Sequence, residues 1–131
     1  MYNVFVYGTL RKEETNDHYL MNAKCLNDSC WIFGELYDTG MGYPAVKSHP
    51  SFKVIGELYE VTDEELKLLD ELEGFIEGAT NNLYDRKKRM VYTRQGSQEA
   101  YIYYGANHLF LNSRRIVSGD WKAYRMGLEN K

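Results

Sequence analysis

The spacing of apolar and polar residues changes period several times along the chain, and each change predicts an element. Residues 3–7, Asn-Val-Phe-Val-Tyr, hold an unbroken apolar run suited to a buried strand. Residues 12–22 contain neither proline nor glycine and predict a helix. A hairpin is expected over 24–38 and a strand over 52–61. Two alternating segments, 84–93 and 98–105, flank Gln95-Gly96-Ser97, which reads as a hairpin turn placing Met90 and Tyr92 opposite Tyr101 and Tyr103. A short helix is expected over 119–127. Gly34-Glu-Leu-Tyr37 recurs as Gly56-Glu-Leu-Tyr59, which suggests two strands of one sheet without establishing a repeat architecture.

The helix expected over 63–73 is punctuated at both ends. Thr62 and Glu65 form a capping box, and Gly74 supplies the stop. At about 100° per residue, Leu66, Leu68, Leu69 and Leu72 share one arc, while Glu64, Lys67 and Glu71 fall on the opposite face. Glu65 has a capping role, whereas Glu73 projects between Leu66 and Leu69 with no local reason to be there. Desolvation and the negative end of the helix dipole both favour its protonated form, so its pKa is expected to rise. Such a carboxyl suits proton exchange near neutrality. It suits equally an ion pair with a basic residue from elsewhere, or an outward turn at a frayed helix end.

The first strand runs into Tyr7-Gly8-Thr9-Leu10. Gly8 bares backbone N–H groups that can hold an anion or a carbonyl oxygen, although an ordinary tight turn fits the same letters. One glycine, with neither G-x-G-x-x-G nor G-K-[ST] following, argues against a nucleotide loop.

Composition narrows the remaining classes. The 131 residues make one domain with a single core over residues 1–131, and 12 tyrosines, 5 phenylalanines and 2 tryptophans favour a β-rich fold with aromatic-lined surfaces. A net charge of −3 without a basic stripe argues against nucleic acid, and Arg86-Lys-Lys-Arg89 reads as a solvated strand. No apolar segment is long enough for a membrane, and no signal peptide precedes the first strand, so a cytoplasmic location is expected. Cys25 and Cys30 lack a second pair for zinc and read as reduced thiols. His18, His49 and His108 are scattered, and no metal or organic cofactor is expected.

Several motifs together resemble the gamma-glutamylcyclotransferase-like (AIG2-like) family. Tyr7-Gly8-Thr9-Leu10 is similar to the family's opening motif, Tyr43-Pro44-Ala45 to a Tyr-Pro-Ala segment, and residues 54–61 to its Val-x-Gly-Glu-Leu-Tyr-Glu-Val strand. Leu69-Asp-Glu-Leu-Glu-Gly74 resembles the Leu-Asp-x-x-Glu-Gly run that carries the family's catalytic glutamate, and Tyr84-Asp-Arg86 its Tyr-x-Arg. The segment from Ile116 to Trp121 also looks like that of bacterial members. The connection from Gly74 to Tyr84 is longer than in compact relatives, which bears on substrate choice.

The resemblance implies an α+β fold, a small, curved, mainly antiparallel β-barrel flanked by short helices. It implies cofactor-independent cyclisation of a small γ-glutamyl amine or amino acid to 5-oxoproline and a free amine, with Glu73 as general acid and base. Tyr7, Gly8, Thr9, Leu10, Tyr43, Tyr84 and Arg86 become candidate substrate-binding residues, Arg86 alternatively forming an ion pair with Asp85 or Glu57. Two rival functions keep the same pocket: a non-catalytic protein binding a γ-glutamyl metabolite, and another acyl or amine transfer on the same scaffold. Neither the leaving amine nor the oligomeric state is written in these motifs.

Overall fold

The computed structural model describes residues 1–129. The strands are β1 (Tyr2–Val6), β2 (Lys24–Asp38), β3 (Pro44–Val61), β4 (Tyr84–Thr93), β5 (Gly96–Gly105) and β6 (Arg114–Arg115), and the helices are α1 (Asp63–Glu73) and α2 (Trp121–Glu129). The sheet order is β3-β1-β5-β4-β2-β6, and a further β2–β3 pairing bends the strongly curved sheet back onto its first strand. All pairings are antiparallel except β1 with β5. No helix among the described residues is long and apolar enough to cross a membrane.

The unbroken apolar run of β1 is explained by two cores. Phe5 and Tyr7 pack with Ile32, Leu58, Ile102 and Trp121, whereas Val4 and Val6 enter the cluster containing Leu66, Leu69, Tyr84 and Tyr103 beneath α1. Successive side chains of a strand point to opposite faces, so a strand between two cores is apolar at every position. Its C-terminal end therefore emerges from the protein interior, and the Gly8 turn is seated there.

Three expectations about strands and turns require correction, as does a fourth about the buried face of α1. Residues 12–22 form successive tight turns ending in a 3₁₀ turn, Asp17–Leu20, instead of an α-helix. Glu13 sits at φ 69°, outside helical space, and the neighbouring side chains of Arg11 and Glu14 are drawn into buried ion pairs with other elements. Residues 24–38 are one long bulged strand, not a hairpin, with register shifts between Cys25 and Cys30 and between Phe33 and Gly34. The β4–β5 turn is Arg94-Gln95. Met90 lies opposite Glu99 and Tyr92 opposite Ser97, so Tyr101 and Tyr103 pair with Lys88 and Arg86.

The two Gly-Glu-Leu-Tyr segments do lie on neighbouring strands of one sheet but do not face each other, since Gly34 pairs with Ser48 and Gly56 with Cys30. Helix α1 has the expected bounds, with both halves of the capping box formed and Gly74 left-handed at φ 67°. Its buried stripe is rotated from the expected arc. Leu66 and Leu69 are buried and Leu72 partly so, but Leu68 is 53% exposed. The rotation turns Glu73 further towards the protein.

Candidate active site

The Gly8 turn, the start of β3, the end of α1 and β4 converge on a small chamber of about 30 Å³. Tyr7, Gly8, Thr9, Leu10, Tyr43 and Glu73 line it, with Pro44, Tyr84 and Tyr103 completing the wall. A cavity of that size holds about two waters, or the oxygens of one carboxylate. It adjoins a wider cleft of about 320 Å³, reaching out to Thr15, Asn16, Gly42, Leu72 and Leu83. Thr9, Tyr43, Glu73 and Tyr84 border both spaces.

Glu73 closes α1 and is partly buried at this junction. Its carboxyl makes no hydrogen bond or ion pair among the described residues, and burial pushes its pKa up to about 7. The helix that presents it is pinned three residues earlier. Asp70 accepts hydrogen bonds from the Tyr103 hydroxyl at 2.6 Å and from Arg86 Nη1 at 2.6 Å, while its carbonyl accepts from the Phe75 N–H at 2.9 Å. Arg86 also lies against the rings of Phe75 and Tyr101. The structure thus places Arg86 away from the chamber lining and engages it with Asp70, rather than with Asp85 or Glu57.

The tyrosine hydroxyls brace the wall. Tyr7 donates to the Tyr103 carbonyl at 2.6 Å and Tyr84 to the Pro44 carbonyl at 2.6 Å. Burial, followed by neighbouring charge that includes Glu73, raises the pKa of both hydroxyls, so they stay protonated. With each donor committed, only oxygen lone pairs can accept from a ligand, and the Tyr7 oxygen already faces the Val46 backbone, which leaves that of Tyr84. Tyr43 stands at the mouth, its ring centroid 6.2 Å from that of Tyr84 and its hydroxyl 3.7 Å from Met41 Sδ.

The N–H groups of Gly8, Thr9 and Leu10 make no hydrogen bond among the described residues, although all three residues line the chamber. Gly8 has an ordinary φ, and its requirement is steric: a Cβ there would lie 2.5 Å from Pro44 Cγ. A buried charge network fixes the turn from beneath. Arg11 Nε donates to Glu57 at 3.0 Å and Arg11 Nη1 to Asp120 at 3.0 Å, and Glu57 also accepts from the Lys12 N–H and the Tyr59 hydroxyl. Glu14 receives a bidentate Arg125 from α2 at 2.8 Å.

The sequence alone marks no site role for Tyr103, Pro44, Thr15, Asn16, Leu72 or Leu83. Of these, only Pro44 carries a local signal, standing beside Tyr43 in the motif. The long 74–84 connection is closed at its base by Asn82, which hydrogen bonds to both the N–H and the carbonyl of Ile76, and it contributes Leu83 to the outer cleft. Cys30 is buried, which pushes its thiol up to about 12 and leaves it inert. Among the described residues no group of three or more His, Cys, Asp or Glu is arranged to hold a metal.

The chain is similar to known proteins along nearly its whole length. The chain is 40% identical over 136 aligned positions, covering 100% of it and 85% of the relative, to a gamma-L-glutamyl-butirosin B gamma-glutamyl cyclotransferase from Niallia circulans. Among solved structures it superposes on YkqA from Bacillus subtilis with a TM-score of 0.79 and 32% identity, covering 99% of this chain and 43% of that one. The uncharacterized protein PH0828 from Pyrococcus horikoshii superposes with a TM-score of 0.73 and 29% identity, over 99% and 98% of the two chains. A model of the family "Gamma-glutamyl cyclotransferase, AIG2-like" matches residues 4–123. With that match running from β1 into α2 and enclosing every residue that lines the chamber, the chain belongs to the AIG2-like gamma-glutamyl cyclotransferases.

Proposed function

We propose that this enzyme cyclises a γ-glutamyl conjugate, with Glu73 as the group that takes and returns the proton. The supporting observation is the juxtaposition, across one small chamber, of a partly buried carboxyl without a hydrogen-bond partner and a turn whose N–H groups are likewise unused. The substrate's α-ammonium gives a proton to the Glu73 carboxylate, and the freed amine attacks the γ-carbonyl. A C–N bond forms and the carbonyl electron pair moves onto oxygen. As that pair returns, the bond to the leaving amine breaks, Glu73 donates the proton to the departing nitrogen, and the carboxylate so regenerated takes the second proton from the ring nitrogen, passing it on to the released amine. The products are 5-oxoproline and the free amine.

Tethering makes the attack intramolecular, and effective molarities of about 10⁵ M or more show what such positioning supplies. A carboxyl with a pKa of about 7 is available in both protonation states near neutrality, as the two proton transfers require. The N–H groups of Gly8, Thr9 and Leu10 receive either the α-carboxylate or the developing oxyanion. The Tyr84 oxygen accepts from the α-ammonium.

The test is a γ-glutamyl amide whose α-nitrogen is acetylated. It retains the carbonyl but has lost the nucleophile, so it should release no amine, while the unblocked parent yields 5-oxoproline. Amine release from the blocked compound at the parent's rate would identify direct hydrolysis instead.

A further inference from the structure

The outer cleft has a composition that discriminates among leaving groups. Leu72, Leu83 and the Tyr43 and Tyr84 rings give it apolar walls, and Thr9, Thr15, Asn16 and Gly42 contribute neutral polar groups. Asn16 is already committed in part, its Nδ2 donating to Thr9 Oγ1 at 3.0 Å. Among the described residues no lysine, arginine or histidine borders this space, and Glu73 is its one acidic residue. Arg86, on the neighbouring strand β4, is held by Asp70 at 2.6 Å and lines neither space.

Resting on the cyclisation proposed above, we propose that the outer cleft selects a leaving amine with a neutral, largely apolar body. Such an amine carries neither a carboxylate nor a second ammonium. A carboxylate beside the scissile nitrogen would shed water against leucine and tyrosine surface without a cation to meet it, and it would stand close to the Glu73 carboxylate. A second ammonium would lose hydration with no fixed anion in the cleft, since Glu73 is occupied by the reaction. An alkyl chain loses nothing polar and covers Leu72 and Leu83.

Three conjugates of one carbon skeleton separate these cases: γ-glutamyl-n-butylamide, γ-glutamyl-norvaline, which adds a carboxylate at the first carbon, and γ-glutamyl-putrescine, which adds an ammonium at the fourth. The quantity to measure is kcat/KM for 5-oxoproline formation. The butylamide should exceed the norvaline conjugate by about tenfold or more, with the putrescine conjugate between them because its ammonium reaches towards solvent. Thr15→Arg, at an exposed position on the cleft rim, should narrow the gap for norvaline and widen it for putrescine. Equal rates for the three conjugates, or preference for norvaline or putrescine, would overturn the specificity while leaving cyclisation standing. Absence of 5-oxoproline from every conjugate would overturn cyclisation, and this inference with it.

Discussion

The Tyr103 hydroxyl and the Asp70 carboxylate meet at 2.6 Å, tying β5 to α1 three residues before Glu73. Arg86 reaches the other oxygen of the same carboxylate at 2.6 Å, so the helix end is held by charge-assisted bonds from two strands. Asp70→Ala should lower stability by about 2–4 kcal/mol, because it leaves the Arg86 charge and the Tyr103 hydroxyl unpaired. In the variant that still folds, kcat should fall more than apparent substrate affinity, as Glu73 loses its fixed position. Urea midpoints and steady-state kinetics on the same preparation check this, and an unchanged kcat would remove Asp70 from any positioning role.

At the Gly8 turn the expected damage comes from packing. A Cβ on Gly8 would lie 2.5 Å from Pro44 Cγ and 2.8 Å from Cδ, and both belong to a rigid ring whose residue also lines the chamber. Gly8→Ala should therefore cost about 1–3 kcal/mol of stability, as over-packing commonly does, and reduce kcat/KM. Thr9→Ser keeps the hydroxyl that accepts from Asn16 and should change both quantities little. Thermal melts with parallel kinetics distinguish the two, and equal small effects would contradict a tight Gly8–Pro44 contact.

The contrast between α1 and residues 12–22 shows which features were legible in the sequence. Thr62, Glu65 and Gly74 act within one or two turns of α1, so its bounds could be read from local letters, and the inward turn of Glu73 followed from them. The 12–22 segment has helix-compatible letters, but Arg11 answers Glu57 and Asp120, and Glu14 answers Arg125, partners 46 to 111 residues away. Those contacts outweigh weak local propensity. In the sequence Tyr103 shows only as a hairpin residue, because its place in the chamber depends on Asp70, 33 residues distant. The hairpin expected over 24–38 gives way to one strand because β2 pairs along its length with β3, and its bulges, one of them held locally by the Ser29 N–H donating to the Asn27 side chain, let it curve.

The raised pKa of Glu73 links stability to pH with a definite sign. Its folded-state pKa is about 7 against an ordinary 4.5, so the folded form prefers the protonated carboxyl. The associated stability is fully present below pH 4.5, declines as pH rises and is lost above about pH 7. Glu73→Gln removes this dependence. Relative to the unmodified protein it should be more stable at pH 8, by up to about 3 kcal/mol, and nearly equal at pH 4. Denaturant titrations at the two pH values test this, and a variant less stable at pH 8 would contradict a desolvated carboxyl. In the unmodified enzyme, kcat/KM, which reports the free enzyme, should fall on the acid side through pH about 7, as the carboxylate that accepts the first proton is lost.

The central claim, that Glu73 moves the proton, is tested most directly by kcat for 5-oxoproline formation in Glu73→Gln. Glutamine preserves size and polarity but exchanges no proton near neutrality. A loss of about 10²- to 10⁴-fold is predicted, with a much smaller change in KM and an intact fold. Glu71→Gln, on the exposed face of the same helix turn, should stay close to the unmodified rate. Near-normal kcat in Glu73→Gln, or a larger loss in Glu71→Gln, would contradict the account.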